Sequence, residues 1–302
     1  MATLRGPGMD HDHYPYSPLP SRPPLRWPGS AGLAFCPVLY VEHWELLPAA
    51  GTRRVPGAQG PWGSLDPDWR TFTHREFGNR IGIWRVLEAL RARGLRATVA
   101  LGAAAAARHP EIVAACREAE FEFAAHPSHA TRIHGSHMTE AEERTAMAAA
   151  IAAVEASTGA RPTGWIAQDF SESTRTPQLV AEAGLTWLAD WPNDEQPYRL
   201  RTTPSVVSVP VAAELDDAQL MWSKLIPAWD WPPLVGEAAS RLVQEGATGA
   251  GRCLLLGLRP WLVGQPHRIR YLEEALDAAL AARPWCATVG EIAAAAAPQL
   301  PG

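Results

Sequence analysis

The sequence predicts an α/β barrel built as one domain. Three observations carry this. Short apolar, strand-like runs alternate with helical stretches, the pattern of a parallel sheet covered by helices. Roughly seven such repeats fall in one domain, which favours a barrel over an open sheet. Nearly every run also ends on an ionisable or amide side chain, as expected where a barrel builds its site at the C-terminal ends of its strands. An open doubly wound sheet is the competing arrangement, but no GxGxxG follows the first run.

Taken in order, residues 1–30 are a leader rich in proline and tyrosine, and the domain is expected to span residues 31–298. "LAFCPVLYV" (33–41) is the first strand, ending at the charged "EHWE". Residues 48–72, with Gly and Pro throughout, read as a long loop. Helical spacing begins at "THREFGNRIGIWRVLEALRARG", with Thr73 as its cap and Gly94 as its stop. "LRATVAL" (strand), "PEIVAACREAE" (helix) and "FEFAA" (strand) follow. In "TEAEERTAMAAAIAAVEASTG", Thr139 and Glu142 make a capping box. "GWIAQ", "LTWLA", "SVVSVPV", "RCLLLGL" and "CATV" supply later strands, with helices expected over 176–183, 232–245, 268–282 and 291–297.

Composition narrows the function. The net charge of -5 comes from well-mixed signs without basic blocks, which speaks against a nucleic-acid partner. Lys224 is the single lysine, so no P-loop or Schiff-base lysine is available elsewhere. Cys36, Cys116, Cys253 and Cys286 form no CxxC and read as buried thiols. The leader lacks the basic start and long apolar run of a signal peptide, and no segment reaches the about 20 apolar residues that span a bilayer. A cytoplasmic protein without a membrane partner is expected, and the alanine-rich "AALAARP" and "EIAAAAAP" suggest a homo-oligomer.

The strand ends deliver Glu42 and His43, then His126, then Gln168 and Asp169, then Asp190, then Glu214 with Asp216 and Asp217, then Arg259. At these residues a resemblance emerges. "RPTGWIAQDFSESTRTPQLVAEAGLTWLADWPNDEQPY", with "VEHWE", "GIWRVLEALRARGLRATVAL", "HMTEAEER" and "LRPWLVGQPHRIRYL", resembles the polysaccharide deacetylase family, in its allantoinase-like and cyclic-imide-hydrolase-like branch. The resemblance runs from about Leu33 to Val289 and implies a distorted (β/α)7 barrel. It also implies positions to check. Metal-dependent members carry an Asp-Asp pair after the first strand and His-x-x-x-His after the third. Here Val41 and Glu42 stand at the first, and His126 and Ala130 at the second. Where many members have Leu-His late in the chain, this one has Leu258 and Arg259, and an arginine is no acid or base near neutral pH.

His129, His134 and His137 crowd close behind His126, and a loop could bend one of them into a zinc site, but the expectation is no metal and no cofactor. Glu42 and His126 are the expected catalytic pair. His43, Trp165, Gln168, Asp169, Asp190, Asn193, Asp194, Arg259 and Trp261 are expected to bind a small-molecule substrate, with tryptophans as walls for a planar ring. The leading expectation is a hydrolase of non-peptide C–N bonds in a small linear or cyclic amide. A metal-dependent carbohydrate N-deacetylase and a catalytically silent ligand-binding barrel are the alternatives.

Overall fold

A computed structural model of the chain describes residues 10–50, 52 and 65–301, so the start of the leader and much of the 48–72 loop lie outside the described residues. The first strand, β1, covers Leu33–Val41, and a long helical stretch follows as α1 (Trp69–Phe77) and α2 (Ile83–Arg91). Next come β2 (Thr98–Gly102), α3 (Ala103–Arg108), α4 (Pro110–Glu118), β3 (Glu122–His126) and α5 (Glu140–Thr158). The middle holds β4 (Gly164–Trp165), α6 (Thr176–Glu182), β5 (Trp187–Leu188), β6 (Tyr198–Arg199) and β7 (Val207–Ser208). The chain ends with α7 (Trp231–Gly246), β8 (Arg252–Leu258), α8 (Pro260–Val263), α9 (Ile269–Ala281), β9 (Trp285–Cys286) and α10 (Val289–Ala296).

Strands β7, β5, β4, β3, β2, β1 and β8 lie side by side in that order, every neighbouring pair parallel. Strand β6 adds antiparallel to β7, and β9 pairs with the start of β1. Among the described residues β7 and β8 are not paired to each other, so the sheet is a strongly curled, incompletely closed barrel. This is the distorted (β/α)7 architecture the sequence implies.

Alternation along β1 decides what reaches the interior. Leu33, Phe35, Leu39 and Val41 pack in one hydrophobic cluster with the helix residues Leu87, Trp231 and Leu272. Ala34, Cys36, Val38 and Tyr40 pack on the other face with Cys253, Leu255 and Ile166. Successive strand residues point to opposite faces. Val41 is therefore a core residue under the helices, and the chain resumes at Glu42 on the rim.

The helical stretch before β2 begins one turn earlier than expected. Asp68 caps it, accepting from the Thr71 backbone N–H at 3.0 Å and the Thr71 hydroxyl at 2.7 Å, while the Thr73 hydroxyl donates back to the Trp69 carbonyl. A carboxylate accepts both bonds at once, which a threonine in mid-helix cannot. Gly94, at φ +63°, ends the stretch as expected. Between α1 and α2 the helix widens into a π-turn, Gly78–Gly82, against α8. A Cβ on Gly82 would fall on the Pro260 carbonyl oxygen, so only glycine allows this approach. The π-turn brings the Asn79 amide to the Glu42 carbonyl at 2.8 Å.

The capping box of Thr139 and Glu142 is present, and a second, Thr288 with Glu291, starts α10 earlier than the spacing suggests. The described part of the leader packs on the barrel: Leu25 and Trp27 are buried, and the Trp27 indole donates to the Arg252 carbonyl at 2.6 Å. Of the alanines in the two stretches expected to form a contact surface, Ala279, Ala293 and Ala296 are buried, while Ala281 and Ala294 are exposed. The four cysteines are free thiols. No described helix is long and apolar enough to cross a membrane.

Candidate active site

The rim at the C-terminal ends of the strands holds a connected polar chain. Gln168, just past β4, is 1% exposed and lies between Glu42 and His126. Its amide nitrogen donates to Glu42 Oε1 at 3.0 Å and to Asp169 Oδ2 at 2.8 Å, and its amide oxygen meets His126 Nε2 at 2.9 Å. The other ring nitrogen, His126 Nδ1, meets the Ile166 carbonyl at 2.8 Å. The two carboxylates only accept, which fixes the amide with its NH2 toward them. Both partners of the imidazole are then carbonyl oxygens, and only an imidazolium satisfies both. Burial works the other way and lowers the His126 pKa, opposed in part by the charge of Glu42.

Glu42 also accepts from the Trp44 indole at 3.3 Å. Arg75, from α1, is buried and lies over the Trp261 ring at 3.2 Å, with Trp44 and Trp222 at 4.7 and 4.9 Å. Burial lowers the Arg75 pKa to about 9, and Glu42 is the foremost charge resisting that fall. The guanidinium thus lies in the field of the carboxylate with its faces covered by indoles. Asp169 and Phe170 both have positive φ, 48° and 59°, a strain of about 1–3 kcal/mol each that concentrates at functional sites.

Arg259 follows β8. It forks onto Asp216 at 2.7 and 2.8 Å, meets Asp217 at 3.1 Å and lies over the Tyr40 ring at 4.3 Å. Burial opposes its charge, but Asp216 and Asp217 outweigh burial and raise its pKa. Burial raises the Asp217 pKa to about 8 against the pull of Arg259. Asp190 accepts from the Ala167 N–H at 2.6 Å and faces Glu172. Burial pushes Asp190 up to about 6 and, with the Asp190 charge, holds Glu172 well above the carboxylate range.

Comparison with known proteins agrees with this fold. Residues 78–188 match the family model described as polysaccharide deacetylase. The solved PuuE allantoinase superposes with a TM-score of 0.81 at 27% identity, covering 93% of this chain and 97% of that one. Over these residues the chain is similar to the polysaccharide deacetylase family. A probable polysaccharide deacetylase from Pseudomonas aeruginosa PAO1 superposes with a TM-score of 0.79, also at 27% identity, over 91% of this chain and 94% of that one. A putative polysaccharide deacetylase of Schizosaccharomyces pombe is 27% identical over 221 residues, 67% of this chain and 68% of that protein. At this level the chain shares the barrel of these proteins.

The donor set of this polysaccharide deacetylase relative does not fit the family's divalent metal. Val41 points under the helices and Ala130 is a buried apolar residue, so neither supplies a ligand. The Nε2 of His126 is engaged by an amide. Among the described residues no three His, Cys, Asp or Glu side chains converge as a metal group. The four histidines of the 122–138 stretch part company. His129 lies beside Glu45 and the His43 ring, whereas His134 is buried against Trp165 with its pKa lowered by burial to about 4.

Several expected substrate contacts take other roles. Trp165 is wholly buried in a cluster with α5 and α6 and is a core residue rather than a wall. Asp194 grips the leader through Arg22 at 2.6 and 2.7 Å, and Asn193 accepts from the Tyr198 hydroxyl at 2.9 Å. Both line a separate cavity of about 530 Å³ between the leader and β6. Arg259 is committed to its aspartates, because a buried guanidinium needs paired charge. His43 is half-buried, its pKa lowered to about 4 first by burial and then by Arg108. Glu42, His126, Gln168, Asp169 and Trp261 do come together. Sequence reasoning missed Arg75, Trp44, Asn79 and Glu172.

Proposed function

We propose that the chain hydrolyses a non-peptide C–N bond in a small linear or cyclic amide of the ureide or imide kind, without a metal ion. The observation that carries this reading is the buried Glu42–Gln168–His126 chain beside the indole-clad Arg75. Glu42 acts as the base. It takes a proton from a water whose oxygen bonds to the substrate carbonyl carbon, and the oxyanion that forms is stabilised by the positive field of Arg75. Collapse breaks the C–N bond, and the proton held on Glu42 passes to the leaving nitrogen. Trp44 and Trp261 lie against the Arg75 guanidinium, and their indoles suit a small planar group. His126 reaches the reaction through Gln168, since both its ring nitrogens are engaged.

The likeness to an allantoinase over nearly the whole of both chains supports a ureide-like substrate. The test is a hydrolysis screen of ureides, cyclic imides and N-acyl compounds with purified protein. Turnover of a small ureide or imide is the expected result. Turnover of N-acetylated oligosaccharides alone favours a carbohydrate deacetylase, and silence on every class leaves a ligand-binding barrel; either overturns the reading.

A further inference from the structure

Gln168 occupies the place between Glu42 and His126 that a bridging cation would need. Resting on the reading that this rim is the reacting site, we propose that Gln168 is a positioning residue that links the two in place of an ion and closes the space between them to divalent metals.

Four observations support it. The amide makes its three contacts in opposite senses, donating to two carboxylates and accepting from the imidazole, so it bridges unlike groups as a small dipole. One backbone segment grips both sides of the histidine, because Ile166 binds Nδ1 and Gln168 binds Nε2. That segment is itself anchored. The Ala167 N–H is held by Asp190, and the Gln168 carbonyl accepts from the Ser171 N–H at 3.0 Å and from its hydroxyl at 2.7 Å. The strained turn at Asp169 and Phe170 then aims the amide inward. For a cation to enter, three hydrogen bonds must break and the imidazole must free a lone pair, and only two protein ligands would be gained.

Metal binding at this place is measurable without turnover. Cobalt(II) is added to chelator-stripped protein and the visible absorption of four-coordinate cobalt is followed. The unaltered protein is expected to show no such band. Gln168→His supplies an imidazole where the amide stood, and with Glu42 and His126 it should give a saturable band that Glu42→Gln removes. If the histidine variant does not fold, the near-isosteric Gln168→Glu offers a carboxylate in the same place and carries the same expectation.

On an identified substrate, Gln168→Ala should lower kcat by about 10- to 100-fold, the usual cost of losing an orienting partner, with KM little changed. A cobalt band on the unaltered protein that disappears in His126→Ala overturns the proposal, as does a folded Gln168→His variant that shows none. The two readings fail separately. A silent hydrolysis screen with the cobalt results as expected sinks the activity alone, whereas cobalt on the unaltered protein sinks the role of Gln168 and leaves the screen standing.

Discussion

Replacing Glu42 by glutamine keeps the shape of the side chain and removes the charge toward which Gln168 and Trp44 both donate. The rate on an identified substrate should fall by about 10² to 10⁴, the range for lost acid-base help, with the fold intact by circular dichroism. His126→Ala acts one step away and should cost about 10- to 100-fold. A Glu42→Gln variant that keeps its full rate would move the base to another residue. Asp190 gives a second test, this one of stability. Its pKa rises from 3.8 to about 6 on folding, so the native state holds that proton after the unfolded chain has lost it. Stability is therefore lost as pH climbs from about 3.8 through about 6 and stays reduced above. Asp190→Asn keeps an oxygen for the Ala167 N–H and removes the titration. Its melting temperature relative to the unaltered protein should rise across that window, and a flat difference would count against the assignment.

At the scale of single elements, the π-turn of Gly78–Gly82 links the packing of α8 to the position of Glu42 through Asn79. Gly82→Ala places a methyl on the Pro260 carbonyl, and overpacking of this kind costs about 1–3 kcal/mol. The urea midpoint should fall, and the rate should fall with it because Asn79 is drawn off the Glu42 carbonyl. A loss of stability with an unaltered rate would separate the π-turn from the site. Elements also differ in how plainly the sequence shows them. Strands β1 and β8 were legible residue for residue, because burial on both faces leaves an unbroken apolar run. β4, β5 and β7 keep only two ladder residues each, and the apolar runs around them overstate the strand. Glu42, His126, Gln168 and Asp169 were legible because each follows a strand. Arg75 was not, because an arginine in "THREF" reads as a solvated helix residue. Its surroundings are Trp44, Trp222 and Trp261, which come from three segments far apart in the chain.

For the whole molecule, the curled sheet collects Glu42, His126, Gln168, Asp190 and Arg259 from five separate strand ends onto one rim, and what it fails to collect there decides the last prediction. The family's divalent ion needs about three protein donors with an open position for water. Strand alternation turns Val41 under the helices, Ala130 offers a methyl group, and His129 and His134 go to other neighbours. The remaining two donors are already joined by an amide. Hydrolysis should therefore survive exhaustive chelation, with kcat and KM unchanged and no zinc in the active protein by elemental analysis. The experiment must be run on enzyme purified without added metal, since an ion trapped during folding would otherwise escape the chelator. Turnover abolished by chelation and restored by zinc would show that the loops over this rim rearrange to make a metal site, and the amide-bridged carboxylate and imidazole would then not be the reacting groups.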